Sequence, residues 1–177
     1  MTTDALSQLK FPIGPFIAPE NVDGQQLDDL IKTIESAPAQ YRRQTENLSH
    51  EQLQRTYRDG SWTVQQLVTH VADMQLLHYF RMRRTLTEDY KEVTLVNIDG
   101  WANSADAINT PVRDSLALLD AMTTRFVILM RSLTPAQQDI AYYHPIRKIM
   151  LTQKQAIAMS AWHVRHHLEH IRIALST

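Results

Sequence analysis

The sequence predicts an all-α protein with the architecture of a four-helix bundle. Four segments of about 20 to 26 residues carry apolar side chains at helical spacing, and no segment alternates convincingly like a strand. The length of 177 residues is that of one domain. We therefore expect residues 1–177 to form a single helical-bundle domain, with an extended arm over residues 1–20 and a long crossover between the second and third helices.

The N-terminal arm is inferred from its prolines and its apolar residues. Three prolines between residues 11 and 20 prevent a helix from propagating there, because each one removes a backbone donor. Phe11, Ile13, Phe16 and Ile17 make the same stretch too apolar for a free tail. The pattern predicts an extended arm that lies on the body of the protein.

The starts of the long helices are visible as capping patterns. Thr63–Gln66 and Thr152–Gln155 each place a threonine three residues before a glutamine, and Thr110-Pro111 suits a first helical turn. Pro38 either kinks the first helix or splits it. The predicted helices cover about residues 23–48, 63–87, 110–132 and 152–175.

Two connections between these helices are longer than a simple turn. Residues 88–109 show little periodicity, and a loop of that length is uncommon unless it covers a site. The stretch Tyr142–Met150 is interpreted as a polar and aromatic connection.

Composition excludes several classes of protein. Lys plus Arg number 18 against 19 for Asp plus Glu, so the formal net charge is −1 and a nucleic-acid partner is not expected. No stretch resembles a membrane span or a signal peptide, so no membrane partner is expected. The absence of cysteine excludes disulfides, thiolate metal sites and a cysteine nucleophile, and it fits a cytoplasmic protein. Four glycines are too few for a phosphate-binding loop or a dinucleotide fingerprint.

Histidine clustering is the strongest functional signal. Four of the eight histidines, His163, His166, His167 and His170, fall within eight consecutive positions. Because each helical residue turns by about 100°, these four share an arc of about 100° on one face. His166 and His170, at i and i+4, can direct two imidazole nitrogens at one point.

A third ligand is expected from His70 on the second helix, where its neighbours are mostly apolar. The predicted metal site is therefore His70, His166 and His170. Three histidines leave a coordination position open for water or substrate, as in catalytic zinc sites. Imidazole ligands suit zinc, nickel or another borderline metal.

The histidine pattern also admits a non-catalytic interpretation. A buried histidine is more often a hydrogen-bonded core residue than a ligand, so the chain could be a helical ligand-binding or interaction module with a structural or pH-sensitive histidine cluster. His163 is a candidate support for the metal histidines. His167 is expected to point to one side of the site.

Asp73 is the candidate catalytic residue, because it lies one turn after His70 and could act as a base or orient a ligand histidine. A salt bridge to Arg81 or Arg83 explains it equally well. Arg81, Arg83 and Arg84 either attract an anionic thiol or form an exposed charged face. The candidates for a site wall or a substrate contact, for which ordinary packing is the alternative, are Trp62, Trp101, Tyr142 and His144.

Several segments of the chain carry a family likeness. They are Phe11-Pro12-Ile13-Gly14, Tyr57-Arg58-Asp59-Gly60-Ser61-Trp62-Thr63-Val64, Val68-Thr69-His70-Val71-Ala72-Asp73, Ser115-Leu116-Ala117-Leu118-Leu119, Tyr142-Tyr143-His144-Pro145, and Trp162-His163 with His166-His167-Leu168-Glu169-His170-Ile171. On these motifs nearly the whole chain resembles the DinB superfamily, and most closely its YfiT-like branch of metal-dependent hydrolases, also described as bacillithiol S-transferase-like.

This resemblance implies a DinB-like four-helix bundle, commonly dimeric, with one divalent metal held by three histidines. Matched residue by residue, it assigns the ligand positions to His70, His166 and His170. Thr69 and Glu169 depart from the family pattern beside two of these ligands, which bears on substrate preference.

Residues and resemblance together predict a metal-dependent enzyme, either a hydrolase or a low-molecular-weight-thiol S-transferase. One divalent ion per chain, zinc or nickel, would lower the pKa of a bound water toward about 7 or bind a thiol as its thiolate. Since the chain has no cysteine, a thiol must arrive as a cosubstrate. We expect a small-molecule substrate and a homodimer.

Overall fold

Helices dominate the computed structural model, which describes residues 3–176 and the side chains of residues 6–176. In chain order the helices are α1 (Thr3–Lys10), α2 (Gly24–Thr45), α3 (His50–Leu53), α4 (Val64–Thr87), α5 (Ile98–Ala102), α6 (Ala105–Asn109), α7 (Val112–Arg131), α8 (Pro135–Gln138) and α9 (Gln153–Ser176). The four long ones, α2, α4, α7 and α9, form the bundle, which confirms the predicted all-α class and its four-helix architecture.

The bundle places the first two long helices, α2 and α4, diagonally opposite each other. Both α2 and α4 pack against α7 and α9, so α2 lies opposite α4 rather than beside it. α4 and α9 run antiparallel, because His70 approaches His167 while His78, two turns further along α4, approaches Ser160. One face of α4 therefore meets the histidine-rich face of α9.

Reciprocal caps mark the starts of three long helices, α2, α4 and α9, whereas α7 begins after Pro111 without a side-chain cap. The Thr63 side chain accepts from Gln66 N, and the Gln66 side chain accepts from the Thr63 backbone, as the sequence predicts. Pro38 lies inside α2, which continues through it from Gly24 to Thr45. The interior is filled by apolar residues of all four long helices, among them Ile34, Leu67 and Leu119.

The N-terminal arm differs in part from the prediction. Residues 3–10 form α1 rather than extended chain, because the prolines that prevent a helix begin only at Pro12; residues 1 and 2 lie outside the described residues. From residue 11 onward the arm is extended and follows α9. Its Gly14 carbonyl accepts from Trp162 Nε1 at 3.1 Å, and its Pro19 carbonyl accepts from Gln155 Nε2 at 2.8 Å. Gly14 has a φ of 77°, a conformation that favours glycine.

Two further features complete the fold. The crossover from α4 to α7 carries the short helices α5 and α6. Between α8 and α9, residues interpreted as a loop form an antiparallel hairpin of β1 (Ala141–His144) and β2 (Ile149–Thr152). Among the described residues, no helix combines the length and the apolar character needed to cross a membrane.

Candidate metal centre

Three histidines from two helices meet where α4 crosses α9. His70 Nε2 lies 3.0 Å from His163 Nε2, and the His167 ring lies 4.7 Å from the His70 ring and 4.6 Å from the His163 ring, centroid to centroid. One nitrogen from each of the three lies within 4.8 Å of the others. Ligand nitrogens about 2.1 Å from one ion are about 3.0 to 3.4 Å apart at octahedral or tetrahedral angles, so the His70–His163 spacing fits a shared ion.

A chain of hydrogen bonds orients the third imidazole, that of His167. The Leu9 carbonyl lies 3.1 Å from His170 Nε2 and can only accept, so His170 Nε2 carries the proton. His170 Nδ1 is then an acceptor, and its partner at 3.3 Å is His167 Nδ1, which must donate. The remaining lone pair of His167 is therefore on Nε2, the nitrogen that a ligand would use. Metal-binding histidines are held in one tautomer by such outer contacts.

A second group of histidines lies along the same helix. His166, His167 and His170 also bring one nitrogen each within 4.8 Å of one another. Among the described residues, His70 forms its group with His163 and His167, whereas the predicted partners His166 and His170 group with His167. His166 stacks on Trp162 at 4.4 Å and His170 on Tyr57 at 3.9 Å.

Burial keeps the imidazoles of the first group neutral. It lowers the pKa of His70 to about 3, with a smaller contribution from His166. Burial, and after it the neighbouring histidines, lower the pKa of His163 and His167 well below the ordinary value. Neutral imidazole is the form that binds a metal ion, so this environment suits ligation without a change of protonation.

The three histidines open onto a cavity of about 280 Å³ between α4, α9, the crossover and the hairpin turn. Trp62 lines it, with its ring 4.6 Å from that of His70, and so does His144. Apolar side chains form much of the remaining wall: Met74, Leu77, Leu95, Val96, Ile98, Ile146 and Met159. The open face of the histidine group thus adjoins a small space with largely apolar walls.

Other residues predicted for the site lie elsewhere. Asp73 is on α4 and does not line the cavity. Its pKa is raised to about 6, chiefly by burial and to a smaller extent by the nearby carboxylate of Asp106 on α6. Trp101 and Tyr142 are also absent from that lining. Tyr142 is buried between the hairpin and α9 in a cluster with Met159.

The family model of the DinB superfamily matches residues 33–171, which include all of α4 and the histidine-bearing part of α9. The chain belongs to the DinB superfamily. Among relatives within it, a Bacillus subtilis protein named "Putative metal-dependent hydrolase YfiT" is 34% identical over 163 residues, covering 92% of each chain. A Halalkalibacterium halodurans relative, "Putative metal-dependent hydrolase BH0277", is 38% identical over 166 residues, which is 94% of this chain and 96% of the relative.

Solved structures within and beyond this DinB branch share the fold. The structure of YfiT from Bacillus subtilis, described as an unusual four-helix bundle, superposes with a TM-score of 0.89 over 93% of this chain and 94% of YfiT, at 34% identity. A mycothiol-dependent maleylpyruvate isomerase superposes with a TM-score of 0.67 over 82% of this chain and 60% of the isomerase. At 14% identity, that second likeness concerns the fold alone.

Proposed function

We propose that the protein is a metal-dependent enzyme whose single divalent ion, zinc or nickel, is held by His70, His163 and His167. The observation that carries this proposal is the 3.0 Å spacing of His70 Nε2 and His163 Nε2, beside a His167 whose Nε2 lone pair is left free. The names of the DinB relatives, which describe metal-dependent hydrolases, support the same class of activity.

This ligand set differs from the predicted one in two of its three members. His166 and His170 have the same i, i+4 spacing as His163 and His167, but His170 donates to the Leu9 carbonyl and accepts from His167. His170 therefore acts best as the residue that positions His167. The predicted set of His70, His166 and His170 remains the alternative. Substitution of the histidines on α9 distinguishes the two ligand sets.

When bound, the ion would lower the pKa of a water toward about 7 and polarise a substrate carbonyl. The protein supplies three neutral nitrogens for it and an apolar wall beside them. In hydrolysis the oxygen of water bonds to the carbonyl carbon, the bond to the leaving group breaks, and the leaving group takes a proton. Esters and amides of small molecules match the size of the cavity.

Transfer of a small thiol is the second candidate, because the chain contains no cysteine and the same ion would stabilise a thiolate. In that reaction the thiol sulfur bonds to an electrophilic carbon, the leaving group departs with its electron pair, and the thiol proton passes to solvent. Both reactions need the same three imidazoles, so only identification of the products distinguishes hydrolysis from thiol transfer.

The catalytic role predicted for Asp73 remains a proposal. A carboxyl with a pKa of about 6 is mostly ionised at neutral pH and can accept a proton. Its neighbour Asp106 lies on the crossover, so a base at this position would act from the α6 side of α4. A homodimer is likewise proposed, and light scattering should give twice the 20.4 kDa of one chain.

Elemental analysis of tag-free protein, combined with product analysis, tests the proposed function. After loading with zinc or nickel we expect one equivalent of metal per chain, and turnover of an ester, or of a thiol with an electrophile to a thioether. His70→Ala should lose both metal and turnover, whereas His50→Ala, a change in the short helix α3, should keep both. No retained metal in the wild type would instead favour a non-catalytic helical module.

A further inference from the structure

Two arginines line the cavity beside the histidines. Arg81 on α4 is only 6% exposed; its guanidinium donates to the Thr94 carbonyl at 2.9 Å, and its buried Nε has no hydrogen-bond partner. Arg147 lies in the hairpin turn, with its guanidinium carbon 5.2 Å from the centre of the Phe16 ring. Within the part of the chain that the structure describes, neither arginine forms an ion pair with a carboxylate.

An unpaired guanidinium inside a protein is costly, because burial removes its hydration and no opposite charge replaces it. Other arginines of this chain do find carboxylates, as Arg84 does with Glu88 and Arg131 with Glu35. Arg81 is such a buried guanidinium, and the exposed Arg147 adds a second positive charge to the lining of the same cavity. The pKa of His144, which also lines the cavity, is lowered to about 4, first by burial and then by the positive charges of these two arginines.

His144 provides a third polar group at this end of the cavity. Its Nδ1 is buried and has no hydrogen-bond partner. The cavity therefore combines two cationic groups and an imidazole nitrogen with apolar walls and the histidine triad. Such a space suits a small molecule with an anionic group at one end and a reactive group at the other.

We propose that the cavity binds a substrate that carries a carboxylate, which Arg81 and Arg147 hold while the reacting group lies at His70, His163 and His167. This inference rests on the proposed function for the position of the reacting group. A carboxylate suits the arginines because a planar guanidinium donates two parallel hydrogen bonds to it. The substrate class is thus a small carboxylic acid with a hydrolysable or thiol-reactive group.

Calorimetric titration of the nickel-loaded protein tests this assignment with a matched pair of probes, 4-mercaptobutyrate and 4-mercaptobutanamide. The wild type should bind the carboxylate about ten to a hundred times more tightly than the amide, the range expected for hydrogen bonds to a charged group. Arg81→Gln and Arg147→Gln should remove this preference and leave the affinity for the amide unchanged. Arg83→Gln is the control, because Arg83 is exposed on the same helix and contacts Tyr79 outside the cavity.

The outcomes separate this proposal from the proposed function. Equal affinities of the wild type for both probes, or a preference that survives in Arg147→Gln, would overturn the carboxylate site. Failure of the protein to bind nickel would count against the proposed function alone. In that case the metal-free protein should still prefer butyrate to butyramide, and the absence of that preference would overturn the carboxylate site as well.

Discussion

Replacing His163 by glutamine should abolish most of the stabilisation that a metal ion gives the protein. A ligand present at 100 times its dissociation constant stabilises the folded state by about 2.7 kcal/mol. For a chain of 177 residues, about 2 to 4 °C of midpoint per kcal/mol gives the wild type a rise of about 5 to 11 °C.

The effect of His163→Gln follows from the geometry of the site. His163 Nε2 faces His70 Nε2 at 3.0 Å, so the substitution removes one of three nitrogens. Changes in groups that merely support metal ligands weaken binding by about 10- to 100-fold, so loss of a ligand should weaken it by at least the upper value. At the same metal concentration the stabilisation then falls to about 0.4 kcal/mol and the midpoint rise to about 1 to 2 °C.

Two neighbouring histidines serve as graded controls in the same assay. His170→Gln disturbs only the residue that orients His167, so a tenfold loss of affinity would leave a rise of about 3 to 6 °C. His166→Gln should keep the full rise, because His166 is not in the group with His70. Differential scanning fluorimetry of each variant with and without metal measures the rise against its own metal-free midpoint. A full rise in His163→Gln together with its loss in His166→Gln would refute the ligand assignment and favour the set predicted from sequence.

Three further changes test the electrostatics and the packing. Asp73→Asn should raise the unfolding midpoint by about 2 to 4 °C at pH 8 and little at pH 4. The pKa of Asp73 is about 6 in the folded state and 3.8 in the unfolded state, so the folded protein loses stability as the pH rises between these two values. After solvent screening this loss is about 1 kcal/mol, and asparagine removes it. An unchanged midpoint with activity lowered more than about a hundredfold would instead indicate a catalytic base. Tyr41→Phe removes the hydrogen bond from the buried hydroxyl to the Val164 carbonyl at 2.8 Å and should lower the free energy of unfolding by about 1 kcal/mol in a urea titration; no loss would mean that the bond contributes nothing net. Ile34→Ala, at a fully buried position, should cost about 2 to 5 kcal/mol in the same titration, whereas Ile128→Ala, at a position 66% exposed, should change it by less than about 0.5 kcal/mol, and equal effects would contradict the packing.

Local signals in the sequence determine most of the fold. The starts of α4 and α9 agree with the sequence prediction to within about two residues, because threonine and glutamine side chains form reciprocal caps that depend only on neighbours along the chain. The hairpin at residues 141–152 was not predictable in this way. Its strands have four residues each, β1 is also bridged by Glu92 of the distant crossover, and residues 141–144 have no regular alternation of apolar and polar type.

The candidate site shows where sequence reasoning reaches its limit. Helical spacing identifies His70 and the histidine face of α9, but His163–His167 and His166–His170 have the same spacing and are centred only about 60° apart on a helical wheel. The choice between the pairs depends on how α9 is rotated against α4, and on the Leu9 carbonyl 161 positions away from His170. Neither is a local property of the sequence. The burial of Arg81 without a carboxylate partner could not be predicted from the sequence either. Arg81 stands beside Arg83 and Arg84, and such a cluster is typical of an exposed charged face.

One ion should lie between His70, His163 and His167, and anomalous diffraction at the nickel edge from crystals of the nickel-loaded protein tests this most directly. We expect a single strong peak per chain, about 2.1 Å from a nitrogen of each of these three imidazoles. A peak between His166 and His170 and away from His163, or no peak at this crossing of α4 and α9, would contradict this ligand assignment.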